Sequence, residues 1–528
     1  MSATATHEAI PADPAQSDRL DPLKLGVFAM MTLGMFMAIL DIQIVAASLP
    51  QIQAGLAASA DQISWIQTSY LIAEVMMIPI SGYLARALST RIMFTASAAG
   101  FTLASLACGF APNMETLIVL RAIQGFVGGA MIPLVFSTSI TAFPRSRAAQ
   151  LSAGMGLIVT MAPTVGPTLG GAISEHLSWH WLFFVNVIPG ALITAVVWIY
   201  ADFDKPNFQM LKKFDAAGFV MMALALGLLE FILEEGPGDD WFDSRLISTM
   251  TVVAAAAGAA FFMRMRSREN PLVDFSVYKN PNFTAGSMVA FSTGVALFGL
   301  VYLLPLYLAR IQGLNSLQIG ETLLVTGAAM FAAAPAAALL SQRFDPRAVA
   351  AAGLLILGIS TRDLTFVTSE WGYWELFLPQ IGRGAGLMLT MAPLNVIALG
   401  TLETAKIPNA SGLFNLSRNL GGAFGLATIN TILNDRTVHH TRMLADNFDV
   451  SRAVVAERVA SLTAYFSSMG HADPNAAAML TLSNIARREA SVLAYSDVFQ
   501  LLTLACLVTA PLLIIAMPPK AGGQIGGH

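Results

Sequence analysis

The chain has 528 residues, 55% of them hydrophobic and only 12% charged. Soluble domains carry about 25% charged residues, so this composition excludes an ordinary soluble fold and points to a polytopic membrane protein. The net charge of −4 decides nothing by itself, because in a bilayer the placement of charge matters more than its sum.

Residues 1–23 are polar and contain prolines. They lack the basic-then-apolar order of a signal peptide and read as a cytoplasmic tail. Apolar runs long enough to cross the ~30 Å hydrocarbon layer then follow at 24–49, 62–83, 92–110, 115–138, 149–171, 181–201, 215–233, 246–264, 283–309, 318–340, 348–366, 374–400, 409–433 and 497–517. The expected fold class is all-α, with about fourteen transmembrane helices. With the N-terminus inside, Lys and Arg crowd the inner segments, for example Arg86, Arg91, Lys212, Lys213, Arg264, Arg266, Arg343 and Arg347. Short outer loops and nearby helix ends hold only Arg245, Arg310 and Arg362. This asymmetry places both termini in the cytoplasm. Cys108 and Cys506 lie in separate apolar runs and read as small apolar residues.

The fifth run, 149–171, contains Pro163 and Pro167 together with Gly154, Gly156, Gly166, Gly170 and Gly171. Proline removes a backbone donor and kinks a helix, and glycines at i, i+4 let another backbone come close. The run therefore reads as a moving part, with Pro163, Gly166, Pro167, Gly170 and Gly171 as its hinge. Leu169-Gly170-Gly171-Ala172 recurs as Leu420-Gly421-Gly422-Ala423. Other short matches, such as Pro79 with Pro335, fall at nearly the same offset. A six-helix repeat follows: a first bundle over 24–201, two inserted helices within 202–281, and a second bundle over 282–517, with a short tail at 518–528. Inside the second bundle, 434–496 reads as an extracytoplasmic helical hairpin. Phe448, Val455, Val459, Leu462, Phe466 and Met469 would form its apolar stripe, and residues 470–475 its turn. The stripe would either pack on its own chain or dock an extracytoplasmic partner.

Ionisable side chains inside a bilayer cost several kcal/mol and are functional candidates by default. At ~1.5 Å per residue, Asp41 on the first helix and Arg121 on the fourth lie at similar depth and can pair. Glu74 falls near mid-membrane on the second helix; Asp41, Glu74 and Arg121 are the candidates for proton coupling, with the proton carried by Asp41 or Glu74. Arg383 and Arg418 fall mid-span on the twelfth and thirteenth helices, with Asn395 and Asn415 nearby in sequence; together with Gln124, Met131 and Met388 they are the candidate lining of a substrate cavity. Glu230, nearer the outer end of the seventh helix, is expected to snorkel outward. His176 and His180 stand i, i+4 in a short outer loop, and no metal site is expected there. No GxxxxGK[ST], HExxH or GxSxG motif is present, which argues against an enzyme.

Several motifs together resemble a known family. Gly166-Pro167-Thr168-Leu169-Gly170-Gly171 resembles the fifth-helix antiporter motif of drug/proton antiporters of the major facilitator superfamily. Leu40-Asp41-Ile42-Gln43-Ile44-Val45, Leu120-Arg121-Ala122-Ile123-Gln124-Gly125 and Trp181-Leu182-Phe183-Phe184-Val185-Asn186 are similar to the first-, fourth- and sixth-helix motifs of the fourteen-helix members. Asp240-Trp241-Phe242, Asn270-Pro271-Leu272-Val273-Asp274 and Asn282-Phe283 resemble the EmrB type. The resemblance implies proton-coupled export of hydrophobic or amphipathic drugs by alternating access, driven by a proton gradient with no cofactor, in the inner membrane of a bacterium. It also implies a periplasmic adaptor and an outer-membrane channel as partners, and no nucleic acid. A dedicated exporter of one metabolite, such as a fatty acid, siderophore or antibiotic, is the alternative. The inner gate loop departs from the family's usual Gly-x-Leu-Ala-Asp-Arg-x-Gly-Arg. Between Gly82 and Arg91, Arg86 replaces the acid and Ser89 the second glycine.

Overall fold

The computed structural model describes residues 21–144, 147–268, 271–446, 452–511 and 513, and every regular element among them is helical. Fourteen long helical segments run in chain order, and we number the spans one to fourteen. They are Pro22–Ala47, Trp65–Leu88, Thr90–Cys108, Met114–Thr141, Ala148–His176, Trp181–Tyr200, Ala216–Glu235, Arg245–Ser267, Pro281–Arg310, Ser316–Arg343, Pro346–Asp363, Tyr373–Leu399, Ile407–Ala445 and Pro474–Thr509. A separate helix, Ala453–Ser468, lies between the last two.

Capping chemistry explains several of the starts. Asp21, Asn280, Asp345 and Asp473 each accept a hydrogen bond from a first-turn backbone N–H, and each is followed by proline. Proline loses nothing at that position, since the N–H it lacks would have no helical partner. Span four is interrupted at Gly129 and Ala130, ahead of Pro133, which cannot donate to the preceding turn.

Twelve of these helices are apolar enough along their length to cross a membrane. Of the fourteen, spans five and thirteen fall outside that set, although they are 29 and 39 residues long. Both carry the repeated Leu-Gly-Gly-Ala, and both are wedged between other helices. Span five packs on span one and on spans ten and twelve; span thirteen packs on span nine and on span two. A helix covered by protein need not be lipid-like, so its glycines and hydroxyls carry no solvation penalty against hydrocarbon.

The glycines show how close these contacts are. A Cβ on Gly170 would lie 2.6 Å from the Ile44 carbonyl oxygen, and one on Gly166 would collide with Gln43. On the other seam, a Cβ on Gly412 would lie 2.9 Å from the Ile78 carbonyl oxygen, and Gly82 abuts the Pro408 carbonyl. Spans two and thirteen therefore run backbone to backbone along this seam. Ser411 Oγ adds a bond to the Pro133 carbonyl at 2.8 Å.

The expected hairpin is instead a three-helix projection. Span thirteen continues to Ala445, helix Ala453–Ser468 follows, and span fourteen begins at Pro474 rather than at 497. His440 Nε2 lies 2.9 Å from Asp497 Oδ2 and ties the long helices together. Of the apolar stripe, Phe448 lies outside the described residues. Val455, Leu462 and Phe466 are half-buried and Val459 is buried, in a helix that packs against span fourteen, while Met469 is exposed. The chain itself covers most of the stripe, so it is no free docking face.

Span seven packs on span two, where Gly227 admits the Met76 and Ile72 side chains. Asp215 joins spans seven and eight: it caps Gly218 N and accepts from Arg264 Nε and Nη2 at 2.7 Å each. The Arg264 hydrogen bonds hold its carboxyl below the ordinary carboxylate range. A depressed carboxylate stabilises above its unfolded pKa of about 3.9 and loses that contribution as pH falls through its folded value. Asp215→Asn is therefore expected to lower the melting temperature of the detergent-purified protein at pH 7. The gap from wild type should close as the pH is taken below about 4.

Candidate functional site

Asp41, on span one, and Arg121, on span four, meet in an enclosed network. Arg121 Nη1 donates to Asp41 Oδ2 at 2.5 Å, and both side chains are 0% exposed. Gln124 Nε2 and Asn186 Nδ2 donate to Asp41 Oδ1 at 3.2 and 2.7 Å. Arg121 also donates from Nη1 to Gln124 Oε1 at 2.9 Å and from Nε to the Ile66 carbonyl at 3.3 Å, and its guanidinium lies 4.2 Å from the centre of the Tyr70 ring. Ser105 completes the cluster, accepting from Asn186 Nδ2 at 3.1 Å. Oδ1 of Asp41 thus accepts two of these bonds and Oδ2 one.

Glu74 is the opposite case. It is 4% exposed, and among the described residues its carboxylate has no hydrogen-bond or ion-pair partner. It lies beside the break in span four, where a Cβ on Gly129 would approach Glu74 Cγ to 3.2 Å. The charges that act on it are Arg418, on span thirteen, and then Arg121. Arg418 is 5% exposed and lies 5.6 Å from the centre of the Phe136 ring of span four. Gly82 lies against Pro408 and Gly412 against Ile78, an antiparallel register that brings Glu74 and Arg418 to a similar level along the seam of spans two and thirteen.

The other candidate lining residues are all buried but do not form one cluster. Met131 belongs to a large core that also holds Phe283, Leu394 and Phe414, and Gln124 to the Asp41 network, while Met388 of span twelve lies against Gly156 of span five. Asn415 Nδ2 bonds the Ser411 carbonyl at 2.9 Å. Asn395 Oδ1, Asn415 Oδ1 and Arg383 Nε and Nη1 lack partners among the described residues. Arg383 and Arg418 make no contact that joins them.

Span five remains helical through both prolines, and the side chain of Pro163 lies outside the described residues. Gly166 and Gly170 face span one, Thr168 touches Gly320 of span ten, and Gly170 and Gly171 offer their carbonyls to Ser174 Oγ. Pro167 is half-buried between these contacts. In the gate loop, Arg86 Nε bonds the Gly82 carbonyl at 3.3 Å, and Arg91 stacks 4.9 Å from the centre of the Trp198 ring. Ser89 has φ +80°, a region that favours glycine. The start of span three is held from elsewhere: Asp204 accepts from Thr90 N at 2.8 Å.

Two further residues belong to this site. Asn186 is a direct partner of Asp41; its only sign in the sequence was its place in the sixth-helix motif. Glu230, expected to snorkel, is 6% exposed instead. Span seven packs there against spans two and thirteen, and Glu234 and then Glu74 are the charges that act on it.

The sequence pattern of the Major Facilitator Superfamily matches residues 31–426. The chain is 39% identical over 491 residues to the colistin resistance protein EmrB of Acinetobacter baumannii, covering 92% of this chain and 95% of that one. It is 30% identical over 513 residues to the fatty acid resistance protein FarB of Neisseria gonorrhoeae, covering 96% and 99%. Among solved structures, the human organic anion transporter MFSD10 superimposes with a TM-score of 0.59 at 13% identity, over 92% of this chain and all of that one; at that identity the likeness speaks for the fold alone.

Proposed function

Because the chain belongs to the major facilitator superfamily and, within it, to the EmrB-type exporters, we propose that it exports hydrophobic or amphipathic drugs in exchange for protons by alternating access. The observation that carries this reading is the Glu74 carboxylate, buried without a partner among the described residues and level with the buried Arg418 along the seam of spans two and thirteen. A proton bound to Glu74 removes the attraction to Arg418 and so favours separation of the two helices along that seam. Loss of the proton restores the attraction. A ligand shifts such an equilibrium only by its differential affinity for the two states, and the proton supplies that difference here. The Asp41–Arg121 network braces spans one, two, four and six, so that they move as one body. Gly166 and Gly170 allow span five to slide against span one.

The driving force is the proton gradient, with no cofactor and no catalytic chemistry. The distribution of Lys and Arg supports a bacterial cytoplasmic membrane with both termini inside. The projection formed by the outer ends of spans thirteen and fourteen would then stand in the periplasm, where an adaptor leading to an outer-membrane channel could meet it. A second reading, a dedicated exporter of a fatty acid, is favoured by the likeness to FarB over nearly the full length.

Purified protein in liposomes tests the first reading. With a pH gradient imposed, a lipophilic cationic dye should be moved against its concentration gradient, and an ionophore that collapses the gradient should stop the movement. Dye transport indifferent to the ionophore would sink the antiport reading.

A further inference from the structure

We propose that Arg383 and Gln380 form a second binding site, one for the head group of an amphipathic organic anion. This rests on the export reading above and names a substrate class for it.

The site comes from a reversed motif. Arg121-x-x-Gln124-Gly125 on span four reappears as Gln380-x-x-Arg383-Gly384 on span twelve. The two glycines play one role in the packing. Gly125 abuts the Tyr70 carbonyl of span two, and a Cβ on Gly384 would lie 2.5 Å from the Thr326 carbonyl oxygen of span ten. The shift that carries Gly125 onto Gly384 carries Arg121 onto Gln380 and Gln124 onto Arg383. The same shift carries Asp41 onto Leu300, which is buried at 0% exposure. The second half of the molecule thus keeps the guanidinium and the carboxamide but has no carboxylate for them.

The electrostatics follow. Arg383 lies about 15 Å along span twelve from its start and is 3% exposed. Its Nε and Nη1 lack acceptors, and so does Gln380 Nε2 one turn away. Gln380 is turned this way by Thr326, whose Oγ1 donates to Gln380 Oε1 at 3.0 Å and leaves the amide nitrogen free to donate. Among the described residues no acidic side chain forms an ion pair with Arg383. Arginine stays protonated in proteins, and an unpaired buried cation is strongly destabilising. By contrast, the Arg121 charge is met by Asp41, and Arg418 acts on Glu74. A buried guanidinium and an unused amide donor one turn apart, with one positive charge between them, match a carboxylate or sulfonate, which offers several lone pairs and one negative charge. On the same helix, Leu376 and Leu387 belong to an apolar core with Leu300, Leu303 and Leu304 of span nine. An anion entering here must therefore bring an apolar tail. In the conformation seen, the helices close over the site, so it would fill when the halves separate.

Liposomes under an imposed pH gradient provide the test, with two probes of equal chain length: decanesulfonate and decyltrimethylammonium. The wild type should move both. Arg383→Gln should lower the ratio of sulfonate to ammonium transport by about tenfold or more, as expected for a lost charge-assisted hydrogen-bonded contact, and Arg383→Lys should recover part of it. An unchanged ratio in Arg383→Gln, or rates that fall equally for both probes, would overturn the proposal and mark Arg383 as structural. A wild type that moves the ammonium but never the sulfonate overturns the anion site and leaves the pump standing. A wild type that moves neither removes both. Vesicles made with and without phosphatidylglycerol separate a lipid head group from a free anion: a ratio that depends on Arg383 only when that lipid is present would contradict a substrate site.

Discussion

Asp41→Ala is expected to be the most damaging single change in the molecule. It strips the counter-ion from Arg121, which is 0% exposed and cannot reach water. Removing one partner of a buried ion pair costs about 3–5 kcal/mol, which is a large share of the 5–15 kcal/mol that typically separates folded from unfolded protein. The amide donors of Gln124 and Asn186 lose their acceptor in the same step. Thermal unfolding in detergent should show a much lower transition, with poor recovery of monodisperse protein. Removing both charges, as Asp41→Leu with Arg121→Met, should restore part of the lost stability, because the penalty lies in the uncompensated charge rather than in the missing attraction. A single mutant as stable as wild type, or a double mutant worse than the sum of its parts, would show that the pair does not brace these helices.

Glu74→Gln is expected to have the largest effect on transport while leaving the fold intact. Glutamine has nearly the shape of a protonated glutamate and cannot release a proton. The Arg418 attraction is then gone permanently, and one proton fewer is exchanged per cycle. Each unit of pH gradient contributes about 1.4 kcal/mol per proton, or tenfold in accumulation. If Glu74 carries the only coupled proton, accumulation driven by one pH unit should fall about tenfold to unity, while exchange down a substrate gradient continues. Loss of downhill exchange as well would point to a structural role for the side chain.

How much of this was legible in the sequence depended on whether a position carried a visible cost. Asp41 and Arg121 were found as partners by counting residues from the span ends, because charges in oil stand out and helical rise is constant. Asn186 had no such signal: a neutral amide near a helix end is ordinary until its partner is known. Glu230 was misplaced for a related reason. Distance from the span end suggested snorkelling, but spans two and thirteen cover that face, and lateral packing cannot be read from depth. The start of span fourteen was placed at 497 because apolar length was the criterion. The cap-and-proline pair Asp473-Pro474 reads as a turn in the sequence, yet it opens a 36-residue helix. Spans five and thirteen show the reverse. Their glycines lower their hydropathy, yet those glycines mark them as helices packed backbone to backbone. Arg383 was visible as a buried charge, but the absence of its counter-ion required the structure.

The central claim is that Glu74 carries the exchanged proton, and the most direct test is proton release itself. A pH-sensitive dye sealed inside liposomes would follow proton flux as substrate moves down its gradient with no pH difference imposed. Wild type should show a proton movement opposite to each addition of substrate, and Glu74→Gln, at equal substrate flux, should show none. Equal proton movement in the two proteins would contradict the account.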